Sequence, residues 1–167
     1  FLHNRISFEA GCILADDMGL GKTLQVIATI DAQRRRGEDT AACLVVCPAS
    51  VVSVWNREVE THTPHLRALS MVGTPAQRQE MIEKFDETDI FICTYAVVRN
   101  DLAALQRRKF HMLILDEAQQ IKNPDAQITL ACKALNCRHR LAVTGTPLEN
   151  RILDLWSIME FLNPNLM

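Results

Sequence analysis

Short runs rich in valine, isoleucine and leucine recur at 12–15, 43–47, 68–72, 90–93, 112–115 and 141–143, separated by segments long enough for helices. This alternation constrains the fold more than any other feature. Short runs that are apolar nearly throughout, rather than at every second position, suit strands covered on both faces. The segments 23–36, 51–62, 76–85, 125–135 and 152–162 read as amphipathic helices. In the first of them Leu24, Ile27 and Ile30 are expected on the buried side, and Arg34-Arg35-Arg36 forms a basic last turn before Gly37. Strand and helix in alternation require right-handed crossovers, hence an α/β fold with a doubly wound parallel sheet flanked by helices. Ligands of such sheets bind outside the carboxyl ends of the strands, so the residues after each apolar run are the candidates for chemistry.

A chain of 167 residues can bury one substantial core, and one domain is expected over 1–167. No apolar run approaches the roughly 18 residues of a membrane span, so no membrane partner is expected. No secretory signal pattern opens the chain either. It begins in mid-pattern at Phe1, as expected for a piece of a longer protein. Eighteen basic residues against 20 acidic ones give a net charge of −2, which excludes a nucleic-acid binder held by bulk charge. Binding of that kind must be local. The six cysteines lie mostly in apolar runs, as reduced, buried thiols of a reducing compartment do. Cys132, Cys137 and His139 lack the further ligand pair that a structural zinc site needs.

The first run leads directly into Asp16-Asp17-Met18-Gly19-Leu20-Gly21-Lys22-Thr23 and then a helix. Glycines in such a turn let backbone N–H groups surround phosphate oxygens, and the new helix adds its positive end. Lys22 is expected to reach the β- and γ-phosphates of a nucleotide, and the Thr23 hydroxyl to ligate Mg²⁺. Asp16 stands where the strict pattern G-x-x-x-x-G-K-[ST] has its first glycine. The fifth run ends in Asp116-Glu117-Ala118-Gln119. Adjacent carboxylates at the end of a buried strand are costly unless a cation or proton is shared there. Asp116 is expected to hold the Mg²⁺ shell, and Glu117 to act as general base on the attacking water. Together the two clusters describe an NTPase and leave open what the hydrolysis drives.

The remaining strand ends carry Cys47-Pro48-Ala49-Ser50 with Trp55 and Glu58, Cys93-Thr94-Tyr95, Ile121-Lys122-Asn123-Pro124, and Thr144-Gly145-Thr146-Pro147-Leu148-Glu149-Asn150 followed by Leu155-Trp156. In this order the set closely resembles the first RecA-like lobe of the Swi/Snf-related ATPases of helicase superfamily 2, from about 11 to 164. The resemblance implies a P-loop NTPase lobe of an ATP-dependent translocase on double-stranded DNA, a remodelling motor of protein–DNA complexes. It implies contacts from Ser50 and Thr94 to phosphates of one DNA strand, which position a duplex without reading sequence. Thr144, Gly145 and Thr146 would link the γ-phosphate state to DNA and to a second lobe. The resemblance also accounts for Asp16.

Gln119 stands where many relatives have histidine; it keeps a hydrogen-bonding group and loses a titratable one. With Glu149 it leans towards bacterial members, and towards an intracellular, bacterial cytoplasmic location. The family's second lobe, with an arginine worth roughly 10³–10⁵ in rate in related NTPases, is expected outside the chain. So is the glutamine motif that contacts adenine. The isolated 167 residues are therefore expected to hydrolyse ATP barely or not at all. An RNA helicase lobe of the same superfamily would carry a different third motif, commonly S-A-T. A nucleotide-gated DNA-binding scaffold without turnover is the alternative from another class, and intact Lys22 and Glu117 speak against it.

Arg34-Arg35-Arg36 and Arg107-Arg108-Lys109 are expected to be solvated helix ends. Trp55 and Trp156 are expected in core or lobe packing rather than stacked on bases.

Overall fold

The computed structural model describes residues 11–16, 19–37, 41–145 and 152–164. Its elements run β1 (Cys12–Leu14), α1 (Lys22–Arg35), β2 (Cys43–Cys47), α2 (Val52–His62), β3 (Ala68–Ser70), α3 (Pro75–Glu83), β4 (Ile90–Thr94), α4 (Tyr95–Asn100), α5 (Leu102–Leu105), β5 (Phe110–Asp116), α6 (Gln127–Ala134), β6 (Cys137–Val143) and α7 (Ile152–Leu162). The strands form one 6-stranded sheet in the order β1-β6-β5-β2-β4-β3. Every pairing is parallel. Among the described residues no helix is long and apolar enough to cross a membrane.

The pleat divides the core in two. Leu44, Val46, Phe91, Cys93, Leu113, Leu115 and Ala142 face one side, against Ile82 of α3, Val98 of α4, Ala131 of α6 and Phe161 of α7. Their alternate neighbours Cys43, Val45, Ile92, Ile114, Leu141 and Val143 face the other, against Val26, Ile27 and Ile30 of α1 and Trp55 and Val59 of α2. A strand such as β2, buried at every residue, can exist only in a sheet covered on both faces, as the continuous apolar runs predict. Helix α1 departs from expectation in one position. Val26 is buried with Ile27 and Ile30, whereas Leu24 is 40% exposed, because the face at 26, 27, 30 and 33 meets the sheet and 24 lies off it.

Strand β6 begins at Cys137, earlier than the apolar run 141–143 suggests. Its polar first half still pairs in register, Cys137 with Phe110 and His139 with Met112. Helices α4 and α5 have no counterpart among the expected elements, being too short to show a periodic pattern. Thr94 caps α4 by accepting from the Val97 N–H at 3.3 Å. In the arginine run that ends α1, Arg35 and Arg36 are exposed as expected, and Arg34 is not. Arg34 donates to the Ala41 carbonyl at 2.9 Å and lies 3.5 Å from Asp89, tying the helix end to the loop before β4. Arg108 lies over the Phe85 ring. Trp55 is buried, as expected, while Trp156 is half exposed. Cys132, Cys137 and His139 belong to no metal-holding group of His, Cys, Asp or Glu among the described residues.

Arg140 of β6 joins two helix ends. Its guanidinium donates to the Lys133 and Leu135 carbonyls at the end of α6 and to the Phe161 carbonyl near the end of α7, and lies 4.9 Å from the Phe161 ring centroid. Helix C-termini leave carbonyls without partners, and a cationic fork satisfies them with favourable dipole alignment. Arg140→Ala should destabilise the protein by roughly 2–3 kcal/mol. The change should appear as a lower urea midpoint at unchanged m-value, with Arg140→Lys recovering only part of it.

Candidate functional site

The carboxyl ends of the strands converge on a cleft of about 500 Å³. One wall is the β1–α1 turn. Gly19 and Gly21 have φ of 87° and 68°, and a Cβ added at either would meet nothing within 4 Å. Backbone handedness, rather than space, is what requires glycine there. Helix α1 starts with no side-chain cap and no acidic residue in its first turn. The positive end of its dipole is therefore not offset by a carboxylate of its own first turn, as suits an anion site. Lys22 donates from Nζ to the Asp16 carbonyl at 2.8 Å, and Gln25 braces the turn through the Leu20 carbonyl. Lys22 and Thr23 line the cleft. Asp17 and Met18 lie outside the described residues, as does Thr146. Leu20 is exposed beside the turn.

The floor is the end of β5. Asp116 is held by two N–H donors, its Oδ1 by the Glu117 backbone at 3.0 Å and its Oδ2 by the Trp55 indole at 2.8 Å. Tyr95 donates its hydroxyl to the Asp116 carbonyl at 2.7 Å. Burial raises the Asp116 pKa, the Trp55 hydrogen bond opposes the rise, and the charge of Glu117 adds to it; Lys22 pulls it down. The same burial, with Asp116 beside it, pushes the Cys47 thiol up to about 12, so Cys47 is an inert neighbour.

Glu117 is the one non-glycine with positive φ among the described residues, at 52°. That left-handed conformation costs roughly 1–2 kcal/mol. It lies at the turn where β5 gives way to the Ala118–Ile121 turn, and such strain concentrates at functional positions. Gln119 donates from Nε2 to Glu117 Oε2 at 2.6 Å, and accepts at Oε1 from the Thr144 hydroxyl at 3.0 Å. A carboxylate only accepts, so the amide can point only one way. The Thr144 N–H in turn donates to the Leu14 carbonyl of β1 at 3.1 Å. A chain of hydrogen bonds thus runs from Glu117 through Gln119 to the end of β6. Thr144 is buried in it, with half-buried Gly145 beside it.

The opposite wall was not foreseen. Val51, Val54, Trp55 and Glu58 line the cleft from the start of α2. Their spacing of i, i+3, i+4 and i+7 marks one helical face. Sequence reasoning assigned Trp55 to packing; that face following a strand end was the available signal. Ser50 is exposed in the turn between β2 and α2. Thr94 ends β4, where it pairs with Cys47, so both hydroxyl residues stand at the carboxyl ends of adjacent strands.

The profile of the SNF2-related domain matches residues 1–167. The chain belongs to the SNF2-related family. It is 36% identical to the TATA-binding protein-associated factor mot1 of Schizosaccharomyces pombe over 96% of this chain and 9% of that protein. An uncharacterized ATP-dependent helicase of Mycoplasma genitalium is 38% identical over 95% of this chain and 15% of the relative. The Sulfolobus solfataricus SWI2/SNF2 ATPase core in complex with dsDNA superposes with a TM-score of 0.89 at 42% identity, over 98% of this chain and 33% of that one. The chain therefore spans only about a tenth of the mot1 length and a third of the solved core. The match identifies the sheet and its helices as a RecA-like lobe of that core.

The family implies nucleotide use, typically with Mg²⁺, and the cleft fits both. An uncapped helix N-terminus behind positive-φ glycines suits phosphates. A carboxylate that burial pushes towards neutrality, facing a cleft with a threonine hydroxyl, suits a hard divalent cation. Because the folded pKa of Asp116 lies above its ordinary 3.8, this group removes stability as pH rises through the raised value. A bound cation reverses that. Millimolar Mg²⁺ should accordingly raise the unfolding temperature more at about pH 8 than at about pH 5. Differential scanning fluorimetry at the two pH values checks this.

Proposed function

We propose that this chain is the ATP-binding first RecA-like lobe of a double-stranded DNA translocase, a motor in which ATP hydrolysis drives movement along DNA and remodelling of protein–DNA complexes. The observation that carries the proposal is the single cleft joining Lys22 and Thr23 to Asp116 and Glu117, with Glu117 wired through Gln119 to Thr144. The likeness to an ATPase core solved with dsDNA supports duplex DNA as the track.

Backbone N–H groups of the turn from Asp17 through Met18, Gly19, Leu20 and Gly21 would hold the phosphates, and Lys22 would neutralise charge on the β- and γ-phosphates. Thr23 and Asp116 would hold Mg²⁺, which offsets phosphate charge when bound. Glu117 would take a proton from the water that attacks the γ-phosphorus, while the bond to the β-phosphate oxygen breaks and ADP leaves. Gln119 orients that carboxylate. Its amide cannot carry a proton at physiological pH, so the link to Thr144 transmits position and not charge. With Gly145 and Thr146, Thr144 would pass the phosphate state towards DNA and the second lobe, which supplies the completing arginine. Ser50 and Thr94 would touch phosphates of one DNA strand, which a chain of net charge −2 can do through local donors. Such a motor is intracellular.

Phosphate release by the full-length protein, with duplex DNA, single-stranded DNA, RNA or nothing added, tests this. Duplex DNA should stimulate strongly and Lys22→Ala should abolish the stimulation. Stimulation by RNA alone would transfer the lobe to an RNA helicase, and absence of turnover under every condition would sink the motor. Gln119→Ala should lower the duplex-stimulated rate on the order of tenfold, the scale of one hydrogen bond to a charged group.

A further inference from the structure

Asp116 is exceptional among the acidic side chains of the cleft in receiving a hydrogen bond from a tryptophan. Trp55 is 1% exposed, and its Nε1–H donates to Asp116 Oδ2 at 2.8 Å. An indole can donate and cannot accept, so this contact favours the ionised carboxylate, the stronger acceptor. The ring itself is immobilised in the core with Val59 and Ile114. The donor is therefore pre-set by packing rather than by the carboxylate it serves. Oδ1 meanwhile accepts from the Glu117 backbone N–H. The two oxygens are thus gripped from two different elements, the end of β5 and the body of α2, and the carboxylate plane is fixed. Each oxygen keeps further acceptor capacity, and both Asp116 and Trp55 border the cleft beside Thr23. A leucine or phenylalanine at 55 would leave Oδ2 without this donor.

We propose that Trp55 is a positioning residue for the metal-binding carboxylate: its indole N–H holds Asp116 in the orientation that accepts a divalent cation. The proposal rests on Asp116 serving the metal. It makes Trp55 part of the ATPase machinery through its hold on Asp116, a role a packing tryptophan would not have. Helix α2 starts directly after the turn that bears Ser50, so this donor is built on the element nearest that DNA-facing hydroxyl.

The test is Mn²⁺ binding to the full-length protein with ADP present, followed by the loss of the free-ion EPR signal. Three variants are compared with the wild type: Trp55→Phe, replacement of Trp55 by benzothienylalanine, and Asp116→Asn. Benzothienylalanine exchanges the indole N–H for sulfur and keeps the bicyclic shape, so it carries the test even if Trp55→Phe proves too destabilised to fold. Both Trp55 variants should bind Mn²⁺ on the order of tenfold more weakly, the scale of one hydrogen bond to a charged group, and should regain DNA-stimulated turnover at saturating Mn²⁺. A benzothienylalanine protein that binds Mn²⁺ like the wild type, while Asp116→Asn loses binding, would overturn the positioning role alone. Unaltered Mn²⁺ binding by Asp116→Asn would instead overturn the assignment of Asp116 as metal ligand, and this proposal with it.

Discussion

Parallel pairing of fully buried strands is the constraint on which the rest depends. Strands β2, β5 and β6 lie side by side, with Leu44 opposite Leu113 and Ile114 opposite Leu141. A parallel strand cannot be reached by a hairpin, so each connection must cross over the sheet, and here helices cover both faces. The consequence for function is positional. All the strands end on the same side, and turns far apart in sequence meet there. Asp16 follows β1, Ser50 follows β2, Thr94 ends β4, Asp116 ends β5 and Thr144 follows β6. Burial of the strands creates the site.

Several features of that edge oppose stability. Asp116 sits where burial disfavours its charge, Glu117 occupies a left-handed conformation, and α1 begins without a cap. Each would be eliminated by selection for folding alone. They are tolerable because the two core layers on either side are closely packed, and because the strain lies at the rim of the sheet. A nucleotide phosphate and a divalent cation would relieve the first and third, so the strand edge is complementary to ligands that would complete it. Elsewhere polar groups are satisfied within the protein. Arg140 closes the ends of α6 and α7, and Ser157 of α7 donates to the Ile121 carbonyl at 2.6 Å. That second bond ties α7 to the turn that follows Asp116 and Glu117.

Much of this was legible beforehand, for a physical reason. The apolar runs at 43–47 and 90–93 report strands because burial on both faces leaves no polar positions to blur the pattern. Gly19, Gly21, Lys22 and Thr23 stand out as a left-handed turn opening a helix because backbone handedness and charge are local demands. Asp116 and Glu117 stand out because paired carboxylates after an apolar run have few other uses. Less legible were elements whose stability is not local. The first half of β6 reads as a polar loop, since Arg138, His139 and Arg140 are strand residues only by pairing with β5. Leu24 looked like a core residue, and only the rotation of α1 on the sheet put it at the cleft.

The sequence by itself determined the alternation of elements, the parallel sheet, and the place of the glycine-lysine turn and the paired carboxylates at strand ends. These follow from hydrophobic period, glycine geometry and charge, each acting over a few residues. Only the tertiary structure decided which distant side chains touch. That Trp55 donates to Asp116 across 61 positions, and that Gln119 joins Glu117 to Thr144, depends on how helices seat on a twisted sheet. Hydrogen bonds are specified by angstroms and angles, whereas the hydrophobic pattern specifies only which face is inside. For that reason the parts of the site were readable one by one, and the connections between them were not.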